Sequence, residues 1–342
     1  MKQVWIPRIG DPSVLEVRTS SDPVPGAGEV RIRVGAAGVN FADIMARMGL
    51  YPDAPRLPAV VGYEVAGTID AVGAGADAHR MGEPVAALVR FGGYSDCVCV
   101  PADQARKMPP GMTVQQGAAI PVVYLTSYVM LEVMAGLKAG DRVLIHAAAG
   151  GVGLAAIDLC RARGAVVYGT ASPGKHDFLR ERGVAYPIDY RNKDFEQEVM
   201  DLTGGEGVDI ALDAIGGANW AKSFRCLRTC GRLVCFGMSA NATGRRRALL
   251  NVVKNLLSVP WRQFNPITLM NQNKAVLGVN MGHMWSTRDR VAGWLDAIMK
   301  LFEAGQVRPY VDRTFAFERA GEAHEYIQDR RNVGKVLLVP EG

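Results

Sequence analysis

His146-Ala-Ala-Ala-Gly-Gly-Val-Gly153 decides the reading of this chain, because it stands between an apolar run, Val143-Leu-Ile145, and an amphipathic run that ends at Gly164. Apolar run, glycine turn and amphipathic run read as strand, turn and helix. Gly150 permits a tight turn, Gly151 keeps side chains clear of a ligand, and Gly153 lets the helix pack closely on the strand, so that backbone N–H groups face a pyrophosphate. The pattern predicts a dinucleotide site at Ala149, Gly150, Gly151, Val152 and Gly153. Ala148 occupies the first glycine position of the G-x-G-x-x-G pattern, so the flanking strand and helix, more than the glycines, carry the reading.

An NAD site places an acid about 20 residues further on, at the end of the second strand, to accept the ribose 2′-hydroxyl. Here the second strand, Ala165-Val-Val-Tyr-Gly169, runs into Thr170-Ala-Ser-Pro-Gly-Lys175, and no Asp or Glu occurs before Asp177. Two hydroxyls and an ammonium at Thr170, Ser172 and Lys175 suit a 2′-phosphate through charge-assisted hydrogen bonds, whereas a carboxylate would repel it. The expected cofactor is therefore NADPH. The alternative for Lys175 is an ordinary solvated lysine at a helix start.

With 342 residues, 49% of them hydrophobic and 21% charged, the chain has material for two domains with sizeable cores. A formal charge of +5, mixed along the chain, argues against a dedicated nucleic-acid binder, although Arg245-Arg-Arg247 is a local basic cluster. The amino terminus lacks a signal peptide's apolar core, and the stretch from Gly117 to Leu137 is interrupted by Pro121, Thr126, Ser127 and Glu132. A cytoplasmic protein without a membrane span is expected. The six cysteines, Cys97, Cys99, Cys160, Cys226, Cys230 and Cys235, form no CxxC pair and read as reduced structural thiols, with Cys226 and Cys230 placed on one helix face. None of the histidines, His79, His146, His176, His283 and His324, shows metal-ligand spacing.

The pattern changes twice along the chain. Residues 1 to about 120 are rich in Gly and Pro and carry short β segments such as Glu29 to Val34, Val65 to Val72 and Pro84 to Leu88. From about 122 to 282 strands and helices alternate, with six strands predicted at Val143 to Ile145, Val166 to Gly169, Ala185 to Asp189, Val208 to Asp213, Arg232 to Gly237 and Ala275 to Val279. The tail offers one helix, Glu318 to Arg331, and one strand, Lys335 to Val339, too little for a third core. The predicted class is α/β: a Rossmann-type parallel sheet domain over 122–282, and a β-rich, barrel-like catalytic domain over 1–121 joined by 283–342.

Gly38-Val-Asn-Phe-Ala-Asp43, Gly49-Leu-Tyr-Pro52, Gly62-Tyr-Glu64, His146 to Gly153 and Gly334-Lys335 fall in an order that resembles the zinc-independent quinone oxidoreductases of the medium-chain dehydrogenase/reductase superfamily. Within that group Asn40 to Arg47, Tyr168 to Ser172, Pro187-Ile-Asp-Tyr190 and Asn332 to Val339 most resemble the vesicle amine transport protein 1 (VAT-1) branch. The resemblance implies a GroES-like fold for the first domain. It also exposes two departures from the zinc alcohol dehydrogenases of the superfamily. Their catalytic cysteine falls in the segment equivalent to Gly38 to Asp43, and their histidine in a Gly-His-Glu where this chain has Tyr63; both ligands are missing.

The resemblance implies hydride transfer to a quinone or enone held between the domains, with the protein supplying position and a few polar contacts. Asn40 and Asp43 would lie near the nicotinamide end of the cleft, and Tyr51 or Tyr63 could donate a hydrogen bond to a developing oxyanion. For both tyrosines a purely structural role is an equal alternative. Further cofactor contacts carried over from the family are Tyr190, Phe236 and Gly237, Asn280 and Met281, Lys335, and Thr126 on the nicotinamide side. A homodimer is the family expectation. A second reading, a VAT-1-like nucleotide-binding protein with a lipid-handling role, hangs on the stretch from Arg245 through Trp261 and Phe264, where aromatics adjoin cations; membrane contact there is the less favoured reading.

Overall fold

In the computed structural model, which describes residues 1–242 and 249–340, six parallel strands form one sheet. They are Arg142–Ile145, Val166–Ala171, Tyr186–Asp189, Val208–Asp213, Leu227–Cys235 and Ala275–Gly278. Counted along the chain, their spatial order is 3-2-1-4-5-6. Each expected strand is present; Arg142–Ile145 and Val208–Asp213 at the centre carry runs of Val, Ile and Leu buried on both faces, as a parallel sheet requires, while the edge strands Tyr186–Asp189 and Ala275–Gly278 are only partly covered. The order places the first and fourth strands side by side with their helices leaving in opposite directions, so a crevice opens at their carboxyl ends. The glycine turn sits there.

A second sheet aligns Val311–Ala316, Lys335–Val339, Glu29–Val39, Glu64–Val72, Pro84–Leu88 and Ala105–Lys107, and Cys97–Pro101 also pairs with Glu29–Val39. A small third sheet joins Glu16–Thr19, Lys2–Ile6 and Ala59–Val60. Two registers in the second sheet build the site. Val336 lies opposite Val39, which brings Lys335 beside Asn40; Ala37 lies opposite Val65, which brings Gly38 beside Glu64.

Helix Pro121–Tyr128 enters the nucleotide-type sheet and packs on both Gly151–Arg163 and Arg288–Glu303, while a bond from Arg106 to Asp296 ties the last of these to strand Ala105–Lys107 (Nε to Oδ1 2.8 Å). One apolar cluster accordingly runs from Ala36, Ala66 and Met108 through Val123 and Leu154 to Leu295.

The structure corrects two expectations, on Cys230 and on the tail helix. Cys230 shares no helix face with Cys226: the helix Ala218–Arg225 has ended, and Cys230 lies exposed in strand Leu227–Cys235 with φ 64°, where the register shifts against Val208–Asp213. The tail helix is confined to Ala320–Gln328, because Arg330 turns left-handed at φ 56°. The stretch from Gly117 to Leu137 is broken into short turns of helix, and among the described residues no helix is long and apolar enough to cross a membrane. The Arg245 to Arg247 cluster lies outside the described residues.

Candidate functional site

The glycine turn is held by backbone bonds at both ends. Ala148 N–H donates to Thr170 (3.0 Å), Gly150 N–H donates to Ala147 (2.8 Å), and Gly150 caps helix Gly151–Arg163 in extended conformation. Gly153 is obligatory here: a Cβ on it would stand 2.4 Å from the Ala148 carbonyl oxygen and 2.6 Å from that of Ala147. Those backbone atoms have nowhere to go. The remaining helix N–H groups at Gly151, Val152 and Gly153 have no intrahelical acceptor, which is the local requirement of an anion site.

At the ends of the second and third strands, Ser172, Lys175 and Tyr190 come together half-buried, and the tail brings a fourth group, Arg330, that the sequence did not reveal. Arg330 Nη1 approaches the Tyr190 hydroxyl at 3.5 Å. Lys175 is not an ordinary solvated lysine: its Nζ donates to the carbonyls of Arg330 (2.9 Å) and Asn332 (2.6 Å). Burial lowers its pKa. Burial opposes ionisation of Tyr190 as well, but hydrogen bonds and charge from Arg330 and Arg191 outweigh it and hold the phenol below its usual value. Thr170 faces the interior instead, its hydroxyl 3.1 Å from His146 Nδ1.

His146 itself is structural. Its Nε2 is 3.0 Å from Ser223 Oγ, which in turn donates to Asp213 Oδ2 (2.7 Å), and the whole set is buried. Burial lowers the imidazole pKa, so it bridges the strand ends as a neutral ring.

On the other side of the crevice, Asn40 and Asp43 are less available than their positions suggested. Asn40 Nδ2 donates to Glu64 Oε1 (2.8 Å), and its Oδ1 accepts from Lys335 Nζ (2.6 Å). Lys335 Nζ also lies 2.5 Å from Glu64 Oε1, and Glu64 Oε2 accepts from Val122 N–H (2.7 Å). Gly38 leaves room for this carboxylate, since a Cβ there would come within 2.3 Å of it. Asp43 accepts from the backbone N–H groups of Asn40 (2.8 Å) and Gly62 (2.9 Å), closing the turn between the two segments. Its complete burial pushes its pKa up to about 7, against those hydrogen bonds.

Tyr51, Tyr63 and Phe91 form an aromatic wall, with ring centroids 6.2 and 5.7 Å apart and near-perpendicular or tilted planes. Among the described residues the buried Tyr63 hydroxyl has no hydrogen-bond partner, and burial raises both phenols, Tyr63 further by the nearby Asp43 and Tyr51 further by Asp53. They are neutral donors. Asn280 and His283, beyond the sixth strand, reach Asp53 across the mouth of the crevice at 3.3 and 2.9 Å. Gly282 packs against the Tyr51 hydroxyl, Met281 joins the main apolar cluster, and Phe236 and Gly237 follow the end of the fifth strand, with Gly237 close on Ala214. Thr126 is committed to its own helix, its hydroxyl donating to Val122 (2.7 Å). Glu64, Arg330, Asp53 and His283 were missed as site groups because each acts through partners far away in sequence.

Residues 26–110 match the family model of the alcohol dehydrogenase GroES-like domain, and residues 182–338 match that of the zinc-binding dehydrogenase domain. The chain is 39% identical to the human synaptic vesicle membrane protein VAT-1 homolog over 95% of its own length and 82% of that protein's. It is 32% identical to a quinone oxidoreductase of Pseudomonas aeruginosa, covering 99% of both chains. The structure of Escherichia coli quinone oxidoreductase, solved in complex with NADPH, superposes with a TM-score of 0.86 at 28% identity, covering 99% of this chain and 100% of that one.

Proposed function

Because this chain belongs to the medium-chain dehydrogenase/reductase superfamily, in the family of the VAT-1 homologues and quinone oxidoreductases, we propose that it is an NADPH-dependent reductase of quinones or related conjugated carbonyls. The observation that carries the cofactor is the cluster of Ser172, Lys175, Tyr190 and Arg330 at the ends of the second and third strands, beside a glycine turn with free N–H groups. Bound NADPH supplies a hydride. The chain's own residues bind and orient. Ala149 to Gly153 would hold the pyrophosphate, and Ser172, Lys175 and Tyr190 would hold the 2′-phosphate, with Thr170 fixing the end of the second strand through His146. Phe236, Gly237, Asn280 and Met281 would border the nicotinamide ribose, with Thr126 and Lys335 as further contacts. Tyr51 and Tyr63 offer neutral O–H donors to an acceptor oxygen. The division into 1–121 with 283–342 and 122–282, and a homodimer, belong to the same reading.

Zinc does not fit this crevice. Asn40 and Tyr63 stand at the ligand positions, and both oxygens of Glu64 are taken by Asn40, Lys335 and Val122. Among the described residues no group of three His, Cys, Asp or Glu could hold a metal. Reduction of an already electrophilic acceptor is the chemistry that asks least of a Lewis acid. The test is NADPH consumption against ortho-quinones, para-quinones and enals; a folded, NADPH-binding protein that reduces none of them refutes the proposal.

One observation favours the second reading, a role at a lipid surface. Leu257, Trp261, Ile267 and Met270 are 81, 71, 69 and 73% exposed around helices Leu249–Leu257 and Pro266–Gln272, while Phe264 is tucked against Phe224 at 5.7 Å. Such a face suits an anionic interface or a subunit contact. Sedimentation with anionic vesicles that is lost on Trp261→Ala would support lipid binding; no sedimentation leaves the reductase reading alone.

A further inference from the structure

Lys335, Glu64 and Asn40 form a triangle of buried polar groups, 3, 0 and 8% exposed, joined by contacts of 2.5, 2.6 and 2.8 Å. The triangle joins the tail strand, strand Glu64–Val72 and the turn before helix Phe41–Arg47, and through Val122 it is pinned to the helix that enters the parallel sheet. Gly151, Gly334 and Lys335 line one small cavity with Val123 and Tyr124, so the lysine side chain lies alongside the start of the glycine-turn helix. A buried ion pair is a poor source of stability, since a packed apolar pair does as well. Its position calls for another reason.

That reason lies in the charge the reaction creates, and the inference therefore rests on the reductase reading. Hydride addition moves two electrons and one proton to the acceptor, which leaves the step as a monoanion with its charge on oxygen; the cofactor leaves oxidised, and one solvent proton then neutralises the oxygen. A zinc enzyme meets such a charge with its metal. Here the tyrosines are neutral, Asp43 is fully buried with both carboxyl oxygens held by the backbone N–H groups of Asn40 and Gly62, and the Asn40 amide is used at both ends. The remaining group is the ammonium. Asn40 and Glu64 take two of its N–H bonds, and the third has no partner among the described residues.

We infer that the Lys335 ammonium is the fixed positive charge at the acceptor end of the crevice, and that Glu64 and Asn40 hold it in place. A charge oriented before the reaction and shielded from water stabilises an anion without reorganisation.

The test uses the full chain saturated with NADP⁺ and 4-nitrophenol as the probe, whose phenolate is read by absorbance. The unmutated protein should ionise bound nitrophenol at a pH about one unit or more below the free compound, a tenfold or larger effect, and Lys335→Met should abolish that shift. Glu64→Gln, which removes the neutralising partner, should enlarge it. An unshifted nitrophenol in the unmutated protein, or an equal shift in Lys335→Met, overturns the inference. Because Lys335→Met strands a buried carboxylate and should lower Tm by about 5 °C or more, the double variant Glu64→Gln with Lys335→Met removes both charges. It should regain most of the Tm and yet, at saturating NADPH, reduce quinone about 100-fold more slowly. Recovery of turnover together with Tm makes the pair purely structural and sinks the idea. A protein that shifts nitrophenol but reduces no acceptor would refute the reductase reading while upholding the charge.

Discussion

Replacing Lys175 by Ala should narrow the preference for NADPH over NADH. In the structure the ammonium is satisfied by two neutral carbonyls, Arg330 O at 2.9 Å and Asn332 O at 2.6 Å. A 2′-phosphate must draw it away from at least one of them. Hydrogen bonds between charged partners contribute about 1.5–3 kcal/mol and those to a neutral carbonyl about 1 kcal/mol, so the exchange leaves Lys175 about 0.5–2 kcal/mol in favour of the phosphate. That corresponds to about 2- to 30-fold in affinity. Tyr190 and Arg330 remain in the variant, so some preference should persist. Fluorescence titration of both cofactors on both proteins gives the four dissociation constants. Equal affinities in the unmutated protein, or a variant weakened equally toward NADH and NADPH, would refute the assignment of this pocket.

Gly153→Ala should abolish measurable NADPH binding and lower thermal stability, because its Cβ meets two backbone oxygens at 2.4 and 2.6 Å; calorimetric binding at the unmutated affinity would contradict the turn geometry. Asp43, with a folded-state pKa raised to about 7 from 3.8, binds its proton more tightly when folded, so its contribution to stability falls as pH rises from about 4 to 7. Asp43→Asn removes that dependence, and its stability deficit in urea titrations should shrink across that window; a deficit that grows with pH would mean the carboxylate is ionised throughout. Metal analysis of the purified protein should find no stoichiometric zinc, with quinone reduction unchanged in chelator. About one zinc per chain, and activity lost on its removal, would overturn the reading of Asn40 and Tyr63.

The chain's local chemistry was enough to locate the parallel sheet. Val143 to Ile145 followed by Gly150, Gly151 and Gly153 can make little else than strand, turn and helix, and each later strand announced itself as a short apolar run between turn residues. These are preferences expressed within one or two turns of chain. The commitments of the polar groups were a different matter. Asn40 was visible as a candidate, but its partners stand 24 and 295 positions away, and Lys175 meets carbonyls 155 and 157 positions away. Thr170 looked like a phosphate ligand until its strand turned its hydroxyl toward His146. Whether a side chain waits for a ligand or is already bonded depends on sheet register and on which distant segment packs over it. For Asn40, Ala37 opposite Val65 and Val336 opposite Val39 set those relations, and the second arises only when the tail strand closes onto Glu29–Val39.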